Sequence, residues 1–471
     1  MKGIYYLVNM RILIGIFAIA LFSKTASAEL NLELPETFLS TDITGATGSI
    51  PVNFSSLGVR RLRSVRKSTA VIEDPEINDW IRGIGRRLVA QTSYSDRPFY
   101  FVIVRNDNVN AYATQGGLIV INSGLILRSE SESELAAVMA HEVAHVTQQH
   151  IERMIAEAKQ NKLGNAAAIV AGILVGSQDA SAGQAIVASA LAVDAHRSLR
   201  FGRSAETEAD REGLRVLASA RFDPNGMTRF LRKLGGGADA RYSGISEYLT
   251  SHPLTEKRVS DVGQRAARYG VYRGKPDISY HYMQERLRVL VRHPAQINKA
   301  PAPVEQYGKA LMAYQQGKPM VASQILASAG KSRHAILLLA KSYNQQKQYQ
   351  KAILLIRPLL ARNPNNEGLL IAMADALVGL KQPSEAWKLL EKVRLNEQTS
   401  LEYLGTRQET ALLAGRRGQA YLSIAERNIR IGLYNHALIQ LRQALKVPNL
   451  ILYERQAIEQ AIYRAQQFQK R

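Results

Sequence analysis

Residues 136–150, AAVMAHEVAHVTQQH, place three histidines and a glutamate in an apolar, alanine-rich run. His141 and His145 are four apart. On a helix that spacing stacks both imidazoles on one face, about one turn apart, where two neutral rings can bind a single divalent cation. Glu142 stands about 100° round the helix from His141, so its carboxylate reaches a water on the cation without being a ligand itself. The chemistry that fits is hydrolysis by a metal-activated water with Glu142 as general base. The plain alternative is a pair of core histidines satisfied by hydrogen bonds. With nine histidines in 471 residues, chance seldom produces the pattern.

A catalytic zinc takes three protein ligands and keeps one position open. His150 lies nine residues after His141, on the far side of a straight helix, and is assigned to the helix flank or the surroundings of the ligands. RSAETEADREG (203–213) is a better source. Glu206 and Asp210 are four apart and share a helical face, whereas Glu208 points elsewhere. Glu206 is the candidate carboxylate ligand. Asp210 is the candidate acceptor for the far N–H of a ligating histidine, which would fix its tautomer. An exposed acidic helix explains the same residues. His252, in SHPLTEKR, precedes a proline and so sits in extended backbone at the start of a helix. It is a candidate to approach the metal, either stabilising the tetrahedral oxyanion or taking the water's place and holding the site latent. Arg258, one turn into that helix, is the second candidate for such a role. A turn histidine without a role is the bland reading.

These residues need a scaffold, and the chain reads as mainly α (α+β). PEINDWIRGIGRRLVAQ (75–91) has helical spacing. FYFVIV (99–104) and LIVIN (118–122) are β-branched and aromatic runs separated by a polar loop. Leu118, Ile119, Val120, Ile121 and Asn122 are read as an edge strand that holds an extended substrate through backbone hydrogen bonds. Ser131 and Glu134 form a capping box ahead of LAAVMAHEVAHV, so the metal-binding helix begins there and is expected to run to about residue 159. Two apolar runs in 163–193 are each about half of a bilayer span. They read as a buried hairpin, a lid or an interfacial membrane contact. Beyond PAPVEQ (301–306), alanines at 322, 352, 386 and 437 mark helical repeats. The step from Ala352 to Ala386 is 34 residues, the tetratricopeptide length.

Residues 1–28 have a basic start, an apolar run and a small-residue end at Ala28, the pattern of a cleaved secretory signal peptide. There is no cysteine, hence no disulfide and no thiolate chemistry. Export without cysteine fits the bacterial periplasm. The formal charge is +21, and residues 301–471 hold 24 Lys and Arg against 11 Asp and Glu. Such a surplus suits an anionic partner, whether a protein face or a membrane surface. Nucleic acid is excluded as the partner by export and by the lack of any nucleic-acid motif. The domains expected are a signal peptide (1–28), a zincin-type metallopeptidase domain with a small sheet (29–300) and an all-α tetratricopeptide solenoid (301–471).

HEVAH, the E-x-x-x-D of Glu206 and Asp210, NAYATQGG (110–117) and HPLTEKR (252–258) together resemble the zinc endopeptidases related to the CAAX prenyl protease and the HtpX heat-shock protease. The resemblance covers nearly the whole mature chain. It implies one Zn²⁺ per chain bound by His141, His145 and Glu206, Glu142 as general base, and Asp210 as partner of a ligand histidine. It also implies unfolded or misassembled outer-membrane proteins as substrates, quality control and assembly in the envelope, and docking of the repeats on the barrel assembly machinery. Gln115 stands where the family often has proline, which bears on the turn and not on the metal.

Overall fold

The computed structural model describes residues 54–68, 70–160, 202–235, 245–274, 278–293, 300–328 and 331–469. The signal segment and the apolar pair at 163–193 lie outside them. Among the described residues no helix is long and apolar enough to cross a membrane.

Helix α1 (Phe54–Ser68) precedes the first helix that the sequence spacing marks. Val59, Leu62 and Val65 form one face and pack on Tyr100, Val102, Val104, Leu118 and Val120 of the sheet. Helix α2 (Pro75–Val89) starts where the sequence places it. Asp74 caps it, its carboxylate accepting the Ile77 N–H at 3.0 Å, with proline at the first helical position. The sheet holds β1 (Tyr100–Val104), β2 (Ala111–Thr114) and β3 (Leu118–Asn122) in the order β1-β3-β2. β1 pairs with β3 in parallel, and β2 with β3 antiparallel. A bridge between Val71 and Val104 covers the outer side of β1.

This order corrects the sequence reading. Leu118, Ile119, Val120, Ile121 and Asn122 form the central strand, hydrogen-bonded on both sides and buried throughout, so no substrate can pair there. The edge is β2, whose AYAT carries too few β-branched residues to read as a strand. Each buried apolar side chain of β3, Leu118 to Ile121, contributes about 1.5–3 kcal/mol of burial, which is what an uninterrupted apolar run in a central strand reports.

Helix α3 (Ser123–Arg128) follows β3 directly, and α4 (Glu132–Thr147) carries the HEVAH residues. Ser131 caps α4, its hydroxyl accepting the Glu134 N–H at 3.3 Å. The Glu134 carboxylate returns to the Glu130 N–H at 2.9 Å, one residue before the usual capping-box partner. The helix ends sooner than expected. Gln149 adopts a positive φ of 56°, and a new helix α5 (His150–Gln160) starts beyond it. Residues 202–219 form α6. Gly213 lets α6 lie close on α4, since a Cβ there would stand 3.1 Å from the His141 backbone nitrogen. Next come α7 (Asn225–Gly235), α8 (Ser246–Ser251), α9 (Glu256–Ala267) and α10 (Ile278–Val291).

The repeat portion contains α11 (Ala302–Gln315), α12 (Pro319–Ser328), α13 (Arg333–Gln345), α14 (Tyr349–Arg362), α15 (Glu367–Gly379), α16 (Pro383–Leu390), α17 (Leu401–Leu413), α18 (Arg417–Arg430), α19 (Tyr434–Leu445) and α20 (Leu452–Gln469). The alanines that marked the repeats, Ala322, Ala352, Ala386 and Ala437, are all 0% exposed. The long gap between Ala386 and Ala437 is filled by α17 and α18, with Ala411 and Ala420 buried in the same way. Small side chains at these positions let neighbouring helices approach. The change of composition near residue 300 is not a gap in packing. Arg286 bonds both Asp74 (2.7 Å) and the Tyr307 hydroxyl (3.0 Å), and Arg63 meets Glu397 at 2.7 Å.

The turn between β2 and β3 rests on α1 at Gly58, where an added Cβ would lie 2.1 Å from the Gly116 carbonyl oxygen. Alanine normally stabilises a helix interior by about 1 kcal/mol over glycine. Gly58→Ala should reverse that sign and cost about 1–3 kcal/mol by overpacking, read as a lower midpoint in thermal or urea unfolding.

Candidate metal centre

Three elements and one short segment converge on a point beneath β2. α4 supplies His141, Glu142 and His145; α6 supplies Glu206 and Asp210; His252 follows α8; and α9 supplies Arg258. The HEVAH helix is buried nearly all round, which is why its sequence is alanine-rich rather than amphipathic. α9 is capped by Thr255, whose hydroxyl accepts the Arg258 N–H at 3.3 Å, so Arg258 projects from the first turn.

His141, His145, Glu206 and His252 each offer one donor atom, all within 4.8 Å of one another. His141 Nε2 lies 3.0 Å from His145 Nε2, 3.3 Å from His252 Nδ1 and 3.4 Å from Glu206 Oε2. Glu206 Oε1 lies 3.4 Å from His145 Nε2 and 3.1 Å from His252 Nδ1. Bonds of about 2.0–2.2 Å to one tetrahedral ion would put donors about 3.3–3.6 Å apart. Three imidazoles and a carboxylate at this spacing, nearly dry, fit a zinc ion.

Each donor is held from behind. His141 Nδ1 faces Asp210 Oδ1 at 3.1 Å, which puts the proton on Nδ1 and frees Nε2 for the metal. Arg258 clamps Asp210 with Nε at 2.7 Å and Nη2 at 2.9 Å, and its Nη1 lies 2.9 Å from Glu206 Oε2. His145 Nδ1 meets His150 Nδ1 at 2.9 Å, and His150 Nε2 meets Glu208 Oε2 at 3.2 Å. Read as N–H donors in sequence, these bonds leave His145 Nε2 free for the metal. The Tyr248 ring stacks on His252, centroids 4.7 Å apart.

Burial opposes charge here, but the partners outweigh it. His252, His141 and His145 hold the Glu206 carboxyl well below its usual range despite its burial. Against the same burial, hydrogen bonds from Asp210 and Glu206 lift His141 to about 10, whereas burial pushes His145 down to about 3. A divalent cation at the shared point would replace the proton that His141 carries. Glu142 differs from the others. Burial raises its pKa, only partly offset by His252 and His141. Its Oε1 is buried with no hydrogen-bond partner and stands 3.5 Å from His252 Nε2, too far for a hydrogen bond. The Ala113 N–H of β2 steadies the carboxylate.

The structure thus brings His141, His145, Glu206, Glu142, Asp210 and His252 together in one place. Arg258 also arrives, but its guanidinium is turned onto Asp210 and Glu206, a clamp rather than a free group waiting for an oxyanion. His150 does not face away. The turn at Gln149 ends α4 and swings the His150 ring back against His145, bringing Glu208 with it. A positive φ at glutamine has no sequence signature, so the turn was not legible; His150 lies among the surroundings of the ligands, one of its two expected places, whereas Glu208, read as pointing elsewhere, was missed.

Fold and site define a metallopeptidase domain with a helical-repeat tail. Residues 75–266 match Peptidase family M48, and residues 343–408 match a tetratricopeptide repeat family. The chain is 33% identical to the beta-barrel assembly-enhancing protease of Yersinia pestis, over 80% of this chain and 75% of that protein. It is 31% identical to the protein of that name in Escherichia coli, over 72% of this chain and 66% of that one. A Vibrio cholerae protein that also bears the beta-barrel assembly-enhancing protease name is 33% identical over 67% of this chain but only 61% of its own length. The chain belongs to peptidase family M48.

Asp210→Asn keeps the shape but loses the charge and one of the two acceptor oxygens, so an N–H₂ must face either the His141 Nδ1–H or the Arg258 Nε–H, and the hold on the tautomer the metal needs weakens. Zinc affinity, read by competition with a chelator, should fall about 10–100-fold. An unchanged affinity would remove Asp210 from behind His141.

Proposed function

We propose that the chain is an exported zinc endopeptidase of the periplasm, acting on unfolded or misassembled outer-membrane β-barrel proteins. It degrades those that fail and assists those that assemble. The buried Oε1 of Glu142, without a hydrogen-bond partner among the described residues and beside four donors at tetrahedral spacing, carries this reading. A structural zinc needs no carboxylate there, and an unsatisfied buried oxygen is costly unless a water or substrate proton meets it. The substrate class rests on the relatives, which are named for β-barrel assembly. The repeat helices are the natural dock for the barrel assembly machinery, and their basic surplus also suits a membrane surface.

Zinc bound at this centre supplies a Lewis acid and brings the pKa of its water toward neutrality. His141, His145 and Glu206 would hold the ion, and Asp210, Arg258 and His150 hold those three in place. Glu142, its pKa raised by burial, accepts the proton of the attacking water and returns it to the leaving amine. β2 presents a backbone edge next to α4, where an extended peptide adds as a further strand. Main-chain pairing reads little sequence, which suits misfolded clients. His252 is the fourth donor. With Nδ1 among the candidate donor atoms, His252 would hold an ion at this centre as a fourth donor, and a site so closed would be latent until His252 withdrew.

A second reading has its own support. Four protein donors are what a structural zinc takes, and a chaperone or scaffold with a permanently closed site would look the same at those residues. Glu142→Gln separates the two. The proposal expects one zinc per chain to remain and cleavage of a misfolded porin or casein to fall by about 10²–10⁴. Equal cleavage by wild type and variant would contradict it.

A further inference from the structure

We propose that the tip formed by Tyr269, Val271 and Tyr272, flanked by arginines, is a contact site for a bilayer surface carrying anionic lipid headgroups. The contact is independent of the zinc chemistry. α9 ends at Ala267, with Arg268 as its cap. Gly270 adopts a left-handed φ of 72°, which turns the chain out of the helix. Residues 267–274 are then exposed without a break. Val271 is 84% exposed, Tyr269 50% and Tyr272 38%. An apolar residue that follows a left-handed glycine at a helix end commonly packs back on the last turn. Val271 instead stays in solvent. Apolar residues scattered singly on a surface are ordinary, but three within four positions at one turn mark a contact.

The charge around the tip has one sign. From Val262 to Pro276 the chain has four Lys or Arg and no Asp or Glu. Arg268 and Arg273 are exposed and meet no acidic side chain among the described residues. Arg265 Nε shares Asp261 Oδ2 with Arg211 Nε, at 2.9 and 3.0 Å, so one carboxylate faces two guanidinium groups. Arg265 and Arg268 also suit the negative end of the helix dipole. That role explains neither Arg273 nor the exposed apolar side chains. The turn is braced on the body of the domain by the Tyr272 hydroxyl, which donates to the Arg221 carbonyl oxygen at 3.2 Å. Arg221 is itself exposed and adds to the positive surround.

Tyrosines beside an aliphatic tip, with arginines behind them, have the composition of a headgroup-level contact. The rings sit where hydrocarbon meets water, and the arginine stems reach back to phosphates. Charge alone would fit an acidic protein face as well; a valine at the most exposed position favours hydrocarbon. No helix among the described residues is long and apolar enough to cross a membrane, so the contact lies at the surface. Each cation near an anionic surface is worth about fivefold in binding, so the contact is reversible and weakens with salt. The same helix begins at the metal centre. Tyr269 lies eleven residues after Arg258, about 16 Å along a helix axis, so α9 reaches from the centre to the contact.

The test uses the chain from Glu29 onward, because residues 1–28 are themselves apolar and Asn53–Arg471 form a compact unit without them. Its probe is Val271→Trp; the chain's own Trp80 and Trp387 are buried, so the added indole dominates any change in emission. Vesicles of phosphatidylethanolamine and phosphatidylglycerol should shift that emission to the blue, and brominated acyl chains should quench it. Vesicles of phosphatidylcholine alone should do neither. Arg268→Glu together with Arg273→Glu should weaken flotation with the anionic vesicles by about twentyfold or more, with casein cleavage unchanged. An emission that the anionic vesicles leave unmoved overturns the proposal, even if the chain floats with them, since the membrane is then met elsewhere or the tip meets a protein. Equal flotation of the charge-reversed variant overturns it too, as does an equal response to phosphatidylcholine. If Val271→Trp does not fold, Tyr269→Trp takes its place with the same outcomes.

Discussion

Glu206 has to remain ionised beneath three imidazoles with almost no water, and the rest of the centre is organised around that demand. An isolated carboxylate so buried would take up a proton. Arg258 and the histidines hold it charged, and Arg258 in turn depends on Asp210 to share its own charge. Glu206, Asp210, Arg258 and His141 therefore form a closed loop in which each charge justifies the next. A cation at the centre completes the loop and removes the need for a proton on His141. The constraint also explains the backbone. Gly213 brings α6 against α4, so that residues 65 positions apart in the chain reach hydrogen-bonding distance.

The three imidazoles are supported in different ways. His141 leans on Asp210 and His145 on His150, both within the core formed by α4, α5 and α6. His252 leans on Tyr248 of the short helix α8. Two donors are thus fixed by the helical body, and the third by a segment whose place is set elsewhere. That asymmetry is what a site needs if its ion is to be held permanently while its fourth position opens and closes. The edge strand β2 and the Glu142 carboxylate steadied by Ala113 are parts of one strip of structure beside the centre.

Much of this was legible in the sequence because it is local. The four-residue spacings of His141/His145 and of Glu206/Asp210 specify helix faces, the Ser131 cap specifies where α4 begins, and proline after His252 specifies extended backbone before α9. The buried alanines of the repeats follow from their period. What was missed is non-local or lacks a residue signature. Strand order depends on which strands meet in space, so the apolar run 118–122 was taken for an edge although its uniform burial suits a centre. AYAT was too short and too alanine-rich to read as the edge strand itself. The turn at Gln149, a residue that seldom adopts positive φ, redirected His150 onto His145. The hold of Arg258 on Asp210 and Glu206 was not legible, because those partners come from another helix.

The measurement that bears most directly on the centre is X-ray absorption at the zinc edge on the full chain without substrate, together with the metal content of the same sample. The account predicts about one ion per chain, light-atom donors at about 2.0–2.2 Å, and scattering from three imidazole rings. A protein that stays folded with no bound ion, or an ion ringed by oxygen with no imidazole, would contradict it.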